Sequence, residues 1–267
     1  MKSQNGQYAI QMITHANPKS PVAEAYRILR TNLNFTTLDR PLKTILITSP
    51  TPAEGKSTTL ANLAIAVAQA GVETLIVDCD LRKPLQHRIF GVPNARGFTN
   101  LLVNREMTVE EVIQDTVVPN LRIMTCGPLP PNPSELLGSK RAGQVIQELE
   151  EKFQLVLFDS PPAVAVADAS ILASQVDGVI MVIRSHVTKN DIAAQAKKLL
   201  ETANANLIGV VLNEVPVNGE DYYYYYYYGS NSSRPESPID NVRRSLGLGP
   251  GRRRRAGGGH GEEIHLD

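Results

Sequence analysis

The clearest indication of architecture in this chain is the segment Ser49-Pro50-Thr51-Pro52-Ala53-Glu54-Gly55-Lys56-Ser57-Thr58. It lies between an apolar run, Thr44–Thr48, and an alanine-rich run over residues 60–70. A strand that turns into a helix through Gly-Lys-Ser is typical of a phosphate-binding loop, because backbone N–H groups and the helix dipole attract an anion there. Proline occupies position 50, where the general motif has its first glycine. The residues predicted to surround the phosphates are Pro52, Ala53, Glu54, Gly55, Lys56, Ser57 and Thr58.

Two further apolar runs end in carboxylates. Residues 75–77 precede Asp78 and Asp80 in an Asp-x-Asp-x-Arg pattern, and residues 155–158 precede Asp159. In an open parallel sheet ligands bind at the carboxyl ends of the strands, so these aspartates are expected on the same edge as the phosphate loop. Magnesium prefers hard oxygen ligands and keeps several waters, so a hydroxyl and a few carboxylates suffice. The pattern predicts a metal–phosphate site.

Composition limits the class of protein. The 267 residues carry no formal net charge and are 42% hydrophobic, which predicts one large α/β domain with tails and argues against a general nucleic-acid-binding protein. The two cysteines, Cys79 and Cys126, show no paired spacing, as expected for reduced thiols. No apolar run approaches the roughly 20 residues of a membrane span, and the first residues lack a signal-peptide core. We therefore expect a soluble, intracellular protein.

Strand and helix patterns alternate, which predicts a parallel sheet with helices on both faces. A further edge strand is predicted at residues 8–13, and Ser134 is expected to cap a helix after a proline-rich loop. After about Val217 the composition changes to Gly, Ser, Asn, Pro and Arg, so residues 1–217 are expected to fold and residues 218–267 to be disordered. Strands are predicted at residues 44–48, 74–77, 121–125, 155–158, 178–183 and 207–212, and helices at 57–70, 134–152, 167–174 and 189–203.

A run of seven tyrosines follows Asp221. A low-complexity repeat or an aromatic patch for partner stacking would account for the run on its own. Beside a nucleotide site, a tethered and acid-flanked tyrosine cluster favours a phosphate acceptor. The predicted acceptors are Tyr222, Tyr223, Tyr224, Tyr225, Tyr226, Tyr227 and Tyr228.

These motifs together resemble the bacterial tyrosine kinases of the BY-kinase family, over about residues 21–228. One more motif fits: Glu24, Arg27 and Arg30 match the family's E-x-x-R-x-x-R oligomerisation signature, on a helix expected at residues 20–39. The resemblance implies a P-loop NTPase-like fold of the deviant Walker A superfamily. It also implies autophosphorylation with ATP and Mg²⁺ between subunits of a ring-like homo-oligomer, in the control of capsule and exopolysaccharide synthesis.

The resemblance further implies partners and a location. The expected activator is a separate, membrane-embedded regulator of polysaccharide chain length, because this chain has no predicted span. A phosphotyrosine phosphatase is the expected antagonist. The kinase is therefore expected in the cytoplasm, recruited to the inner face of the cell membrane by its activator.

The family also implies roles for individual residues. Lys56 would stabilise the transferring phosphoryl group, Ser57 would bind Mg²⁺ directly, and Asp159 would hold the ion through water. Asp78 is expected to be the base that accepts the tyrosine proton, and Asp80 a ligand in the metal shell; a free tyrosine hydroxyl has a pKa of about 10 and needs such help. Asn213 matches a position that contacts adenine, although an ordinary turn asparagine is an equal alternative.

Two other functions remain open on sequence. The first is a partition- or septum-positioning ATPase of the same superfamily, but those enzymes carry a signature lysine where this chain has Thr51, and they have no tyrosine run. The second is a non-catalytic module that uses ATP only to set its assembly state. The non-catalytic module is disfavoured because the residues expected for catalysis are all intact, namely Lys56, Ser57, Asp78, Asp80 and Asp159.

Overall fold

The computed structural model describes residues 12–36 and 42–216. All of these fall in the first of two units into which the chain divides, residues 1–229 and 230–267. The predicted disordered tail, residues 218–267, and its tyrosines lie outside the described residues. The elements in chain order are α1 (Ile13–Ala16), α2 (Pro21–Thr36), β1 (Thr44–Thr48), α3 (Lys56–Ala68), β2 (Thr74–Asp78), α4 (Gln86–Phe90), α5 (Phe98–Val103), a 3₁₀ turn (Val109–Glu111), β3 (Ile113–Asp115), β4 (Leu121–Met124), α6 (Pro133–Leu137), α7 (Lys140–Lys152), β5 (Leu155–Asp159), α8 (Asp168–Ala173), β6 (Gly178–Arg184), α9 (Asn190–Thr202) and β7 (Leu207–Asn213).

The sheet has seven strands in the order β3-β4-β2-β5-β1-β6-β7. Every neighbouring pair is parallel except β3 with β4, which is antiparallel. The six strands predicted from apolar runs are all present. Strand β3 was not predicted, because its three residues Ile-Gln-Asp carry no hydrophobic pattern.

Helices cover both faces, as predicted. One hydrophobic cluster joins the sheet to α5, α7, α8 and α9, and the other joins it to α2, α3 and α4. Strands β1, β2 and β5 are buried along their whole length, which explains their continuous apolar sequence. Helix α3 is almost entirely buried as well, and its many alanines allow close approach to the sheet. The central strands, whose carboxyl ends carry the site, are therefore packed between helices on both faces of the sheet.

Three local predictions were wrong. The single helix expected over residues 134–152 is two helices, separated at Gly138, and the Ser139 hydroxyl accepts from Ala142 N to begin the second. Ser134 is not a helix cap, since Asn132 holds that position and Ser134 donates its hydroxyl to Asp168 instead. Ile13 begins a helix rather than ending an edge strand, while residues 8–11 lie outside the described part of the chain.

Every helix within the described residues is too short or too polar to cross a bilayer.

Candidate functional site

A cleft of about 420 Å³ opens at the carboxyl ends of the central strands. Strands β2, β5 and β1 are consecutive in the sheet, and Asp78 lies directly beside Asp159 in the β2–β5 register. The loop after β1 and the loops after β2 and β5 therefore meet at one place, as the rule for open parallel sheets predicts. The cleft is lined by Pro52, Ala53, Gly55, Lys56, Ser57, Thr58, Asp80, Arg82, Lys83, Leu85, Pro161, Pro162, Ala165, Val166 and Glu214.

The phosphate loop depends on one glycine. Gly55 precedes α3 with φ of +86°, in the left-handed region that favours glycine. A Cβ at this position would lie 2.1 Å from Asn213 Nδ2. Within the loop, the buried Glu54 carboxylate accepts from the backbone N–H of Thr51 at 2.9 Å and from the Thr51 hydroxyl. Conformation and crowding thus both require glycine at position 55.

Lys56 is the cation at the centre of the site. Its Nζ lies 3.0 Å from Asp80 Oδ2, 3.4 Å from Asp159 Oδ1 and 3.1 Å from Ser57 Oγ. Burial opposes the charge of the ammonium, but the carboxylates of Asp159 and Asp80 outweigh it and raise the pKa of Lys56. The side chain is therefore a fixed positive charge at the N-terminus of α3.

The three oxygens around Lys56 also suit a metal ion. Ser57 Oγ, Asp80 Oδ2 and Asp159 Oδ1 all face the same cation within 3.4 Å, and hydroxyl and carboxylate oxygens are the donors that Mg²⁺ prefers. Among the described residues no group of three or more His, Cys, Asp or Glu side chains is arranged to hold a metal by itself. Magnesium here would need oxygens from water and from a nucleotide, as is usual for this ion.

Asp78 and Asp80 occupy different environments. Asp78 is fully buried, and its two oxygens accept from the backbone N–H groups of Asp80, Leu85 and Gln86 at 2.9–3.3 Å. Burial and repulsion from Asp159 raise the pKa of Asp78 to about 8. It is absent from the lining of the cleft, whereas Asp80 forms part of that lining. The residue predicted to be the base thus lies behind the wall and fixes the loop that carries Asp80.

Gln86 is a site residue that the sequence reasoning missed. Its Nε2 donates to Asp159 Oδ2 at 2.8 Å and to the carbonyl of Ser57 at 3.0 Å. This fully buried amide joins the start of α4 to the ends of β5 and the phosphate loop. No local sequence motif indicates the role of Gln86, because its partners are distant in sequence.

A second missed contact involves Arg82, the arginine of the Asp-x-Asp-x-Arg pattern. Its Nε and Nη2 donate to the two oxygens of Asp168 at 2.9 and 3.0 Å, and Nη2 also reaches Ser134 Oγ at 3.2 Å. Asp168 is fully buried at the start of α8. This bidentate pair ties the loop after β2 to the loop that follows β5. The pattern signalled the arginine, but nothing in the sequence identified its partner.

Asn213 contacts the phosphate loop. Its Nδ2 donates to the carbonyl of Glu54 at 2.9 Å. The next residue, Glu214, has φ of +54°, lines the cleft and pairs with Arg184 at 2.6 Å. The end of β7 therefore forms one side of the cleft, and the predicted adenine contact of Asn213 remains a prediction.

The three residues of the oligomerisation signature lie on α2. Glu24 pairs with Arg27 at 2.7 Å, and Arg27 also donates to the carbonyl of Pro18. Arg30 donates to the carbonyl of Ala66 on α3 at 3.0 Å. Within one chain, then, Arg30 joins two helices, while the Glu24–Arg27 pair is partly exposed on the helix surface. The predicted acceptors at residues 222–228 lie outside the described residues.

Comparison with known proteins supports the same assignment. A family model for an AAA domain, AAA_31, matches residues 42–208. Tyrosine-protein kinase YwqD of Bacillus subtilis is 42% identical over 212 residues, which cover 79% of this chain and 89% of the relative. The chain belongs to the bacterial tyrosine-protein kinases. The solved kinase domain of Escherichia coli tyrosine kinase ETK matches the present chain with a TM-score of 0.75 and 32% identity. The match covers 78% of this chain and 81% of the ETK domain.

A cell division ATPase shares the architecture but less of the sequence. The cell division ATPase MinD of Pyrococcus furiosus matches with a TM-score of 0.56 at 22% identity, over 69% of this chain and 79% of that one. That likeness shows the fold alone. Of the functions left open by the sequence, the comparisons therefore favour the tyrosine kinase, as the motifs predicted. The P-loop fold is common to the kinases and to this ATPase.

Proposed function

We propose that this kinase binds ATP with Mg²⁺ in the described cleft and phosphorylates Tyr222–Tyr228 of a neighbouring copy of itself. The observation that carries the proposal is the Lys56 ammonium held beside Ser57, Asp80 and Asp159 at the N-terminus of α3. Phosphoryl transfer requires positioning and neutralisation of charge more than covalent chemistry, and this arrangement supplies both. The tyrosines are proposed as acceptors because their run begins only eight residues after the cleft-lining Glu214.

In the proposed reaction the tyrosine oxygen attacks the γ-phosphorus. The new oxygen–phosphorus bond forms while the bond to the β,γ-bridging oxygen breaks, and ADP leaves with the electron pair. Loop N–H groups around Gly55 bind the phosphates, and Lys56 places its charge on the transferring group. The phenol proton passes to Asp80, the carboxylate of the Asp-x-Asp pair that lines the cleft. Asp78 acts by holding the loop that carries Asp80.

Magnesium fits the oxygens around Lys56. Ser57 and Asp159, with Asp80 alongside, would hold the ion, which would neutralise charge on the β- and γ-phosphates when bound. Gln86 fixes Asp159 through its second oxygen and so limits the directions in which that carboxylate faces.

The biological setting follows from the family. We place this kinase in the control of capsular or exopolysaccharide synthesis and export, as a ring-like homo-oligomer assembled through Glu24, Arg27 and Arg30. A separate membrane-embedded chain-length regulator would recruit and activate it at the cell membrane, and a phosphotyrosine phosphatase would reverse the modification. Apolar side chains at Val22 and Phe35 are exposed on α2 beside the signature, which supports an interface on this helix.

A mixing experiment tests transfer between subunits. Lys56→Met, with its tyrosines intact, is incubated with ATP, Mg²⁺ and an otherwise wild-type chain in which residues 222–228 are Phe. Phosphotyrosine is then measured by antibody and intact mass. We expect neither variant alone to gain phosphate and the Lys56→Met chain to gain it in the mixture.

The control is Lys197→Met, which removes an exposed surface lysine whose ion pair within the described residues is with Glu201. It should autophosphorylate like the wild type. Phosphotyrosine on folded Lys56→Met incubated alone would contradict the role of Lys56. Absence of transfer in the mixture, with an active wild-type chain, would contradict transfer between subunits.

A further inference from the structure

Among the described residues, strand β7 forms an edge of the sheet that no other segment covers. Within the described residues it pairs with β6 only, and its sequence Leu-Ile-Gly-Val-Val-Leu-Asn contains no charge. Val210 and Leu212 are 52% and 56% exposed. Natural sheets commonly protect an edge with charged side chains, prolines or covering segments, because unpaired backbone groups attract another strand. An uncharged, apolar edge of seven residues is therefore a surface to which a strand would bind.

The backbone of this edge is directed outward at the same two residues. The carbonyl of Asn213 accepts from Ser185 N at 2.8 Å, so Asn213 faces β6. Successive residues of a strand direct their backbone groups to opposite edges, so the N–H and C=O groups of Val210 and Leu212 face away from β6. Their side chains share one face of the sheet, the face on which Met181 packs, because Met181 lies beside Val210. The edge thus offers two sets of hydrogen-bonding groups and two apolar side chains in register.

The chain itself supplies a segment of suitable chemistry and length. Strand β7 ends at Asn213, and Glu214 has a left-handed backbone that turns the chain out of the strand. The sequence then contains Asn218-Gly219, a dipeptide favoured in two-residue hairpin turns, and the seven tyrosines follow after Glu220 and Asp221. Tyrosine is among the residues enriched in strands. A chain that reverses at Asn218-Gly219 would run antiparallel to β7 and bring tyrosines beside Val210 and Leu212.

We infer that, before phosphorylation, tyrosines of the 222–228 run add to the free edge of β7 of their own subunit as an antiparallel strand. For this run, the inference replaces the expectation of a disordered tail. It rests on the proposed function only in taking these tyrosines as the phosphate acceptors. Each phosphate adds about −1.5 to −2 charge, which is unfavourable beside exposed apolar side chains, so modification releases the segment from the edge. The edge strand thus stores the acceptor segment, and delivery to a neighbour's cleft competes with this storage.

Hydrogen exchange tests the inference without any catalysis. The readout is the exchange rate of the Val210 and Leu212 backbone amides in full-length, unphosphorylated chain without ATP, compared between wild type, Tyr222–Tyr228→Phe and Tyr222–Tyr228→Ser. We expect wild type and the Phe variant to protect both amides at least tenfold more than the Ser variant. Exchange at Leu46 and Leu157 in the central strands is the folding control. Because ATP is absent, failure of the proposed kinase reaction leaves this result unaffected.

A second measurement uses a change on the edge itself. Leu212→Lys places a charge where the tyrosines are inferred to bind, and Val103→Lys is a matched change at a 73% exposed valine on α5. Chymotrypsin should cleave after the tyrosines several-fold faster in Leu212→Lys than in Val103→Lys. Equal exchange of the Val210 and Leu212 amides in the wild type, the Phe variant and the Ser variant would overturn the inference. Protection that rises with protein concentration and survives the Ser substitution would also overturn it, by assigning the edge to a second copy.

Discussion

The side-chain amide of Asn213 donates to the carbonyl oxygen of Glu54 over 2.9 Å and so joins the end of the last strand to the phosphate loop. The two residues are 159 positions apart in sequence. The same amide is the group that a Cβ on Gly55 would approach to 2.1 Å. The conformation of the phosphate loop therefore depends on a residue at the end of the edge strand β7.

This contact predicts the behaviour of Asn213 variants. Asn213→Ala removes one hydrogen bond to the loop, worth about 0.5–1.5 kcal/mol, and should raise KM for ATP several-fold with little change in melting temperature. Asn213→Asp should be worse, because a carboxylate would face the carbonyl of Glu54. The matched control is Asn206→Ala, which loses a similar amide–carbonyl bond, 2.8 Å to Asp177, at the other end of β7. Equal KM values for all three variants would show that the contact does not position the loop.

The two aspartates after β2 should respond differently to the same change. Asp80→Asn should leave the fold intact and lower kcat by about 100-fold or more, since it removes the carboxylate proposed to accept the phenol proton. Asp78→Asn places an amide N–H₂ opposite a backbone N–H, because both oxygens of Asp78 accept such groups. We expect it to lower the free energy of unfolding by about 1–3 kcal/mol. Urea unfolding and single-turnover rates separate these outcomes, and a stable Asp78→Asn protein with the larger loss of kcat would restore Asp78 as the base.

The two partners of the Arg82–Asp168 pair should differ in the stability that is lost when each is removed. Arg82→Ala leaves a fully buried carboxylate without its guanidinium, whereas Asp168→Ala leaves an arginine side chain that is 39% exposed and can be hydrated. The loss of unfolding free energy should be about 1–3 kcal/mol for Arg82→Ala and smaller for Asp168→Ala. Arg82→Lys should recover little, because an ammonium does not reproduce the bidentate contact. A double-mutant cycle that gives no coupling energy would contradict this account.

The same pair predicts a dependence of stability on pH. Burial alone would raise the pKa of Asp168, but hydrogen bonds from Arg82 and Ser134 lower it below its ordinary value. A depressed folded-state pKa adds stability above the unfolded-state pKa, about 3.9, and that stability is lost as the pH falls through the folded-state pKa. Between pH 7 and about pH 3 the wild type should therefore lose more unfolding free energy than Asp168→Asn. Thermal unfolding measured across this pH range checks the prediction. If the stabilities of the two proteins fall by the same amount as the pH decreases, the Asp168 contribution is refuted.

Assembly through α2 is tested by replacing Glu24, Arg27 and Arg30 together with Ala. We expect a monomer that autophosphorylates poorly, because arginine is suited to bidentate pairing with carboxylates across an interface. Arg30 also joins α2 to α3 within the chain, so Arg30→Ala alone serves to measure any loss of stability. Lys197→Ala with Glu201→Ala removes a comparable exposed pair on α9 and should leave assembly unchanged. An unaltered size distribution of the triple variant by light scattering would remove this helix from the interface.

Contiguous motifs made the phosphate loop and the strand-end aspartates predictable. Lys56, Ser57 and Asp159 meet as expected because parallel strands bring their carboxyl ends to one edge, whatever lies between them in sequence. Gln86 and Asp168 were missed for the opposite reason: each acts through a partner on another element, and neither has a local signature. The break at Gly138 was missed because the helical pattern resumes at once after Ser139. The different burial of Asp78 and Asp80 depends on how the loop to Gln86 folds back, which spacing alone does not specify.

The order of the strands has a consequence for synthesis on the ribosome. Strands β1 and β2 carry the phosphate loop and the Asp78–Asp80 pair, but they are not neighbours, since β5 lies between them. A nascent chain that ends before Leu155 therefore has two apolar strands with open edges and no complete nucleotide cleft, a state prone to mispairing. Because the proposed nucleotide cleft is complete only once Asp159 has emerged, we expect ATP to give no protection to the first half of the nascent chain. Ribosome-bound chains should become protease-resistant in one late step, after β5 and β6 leave the exit tunnel.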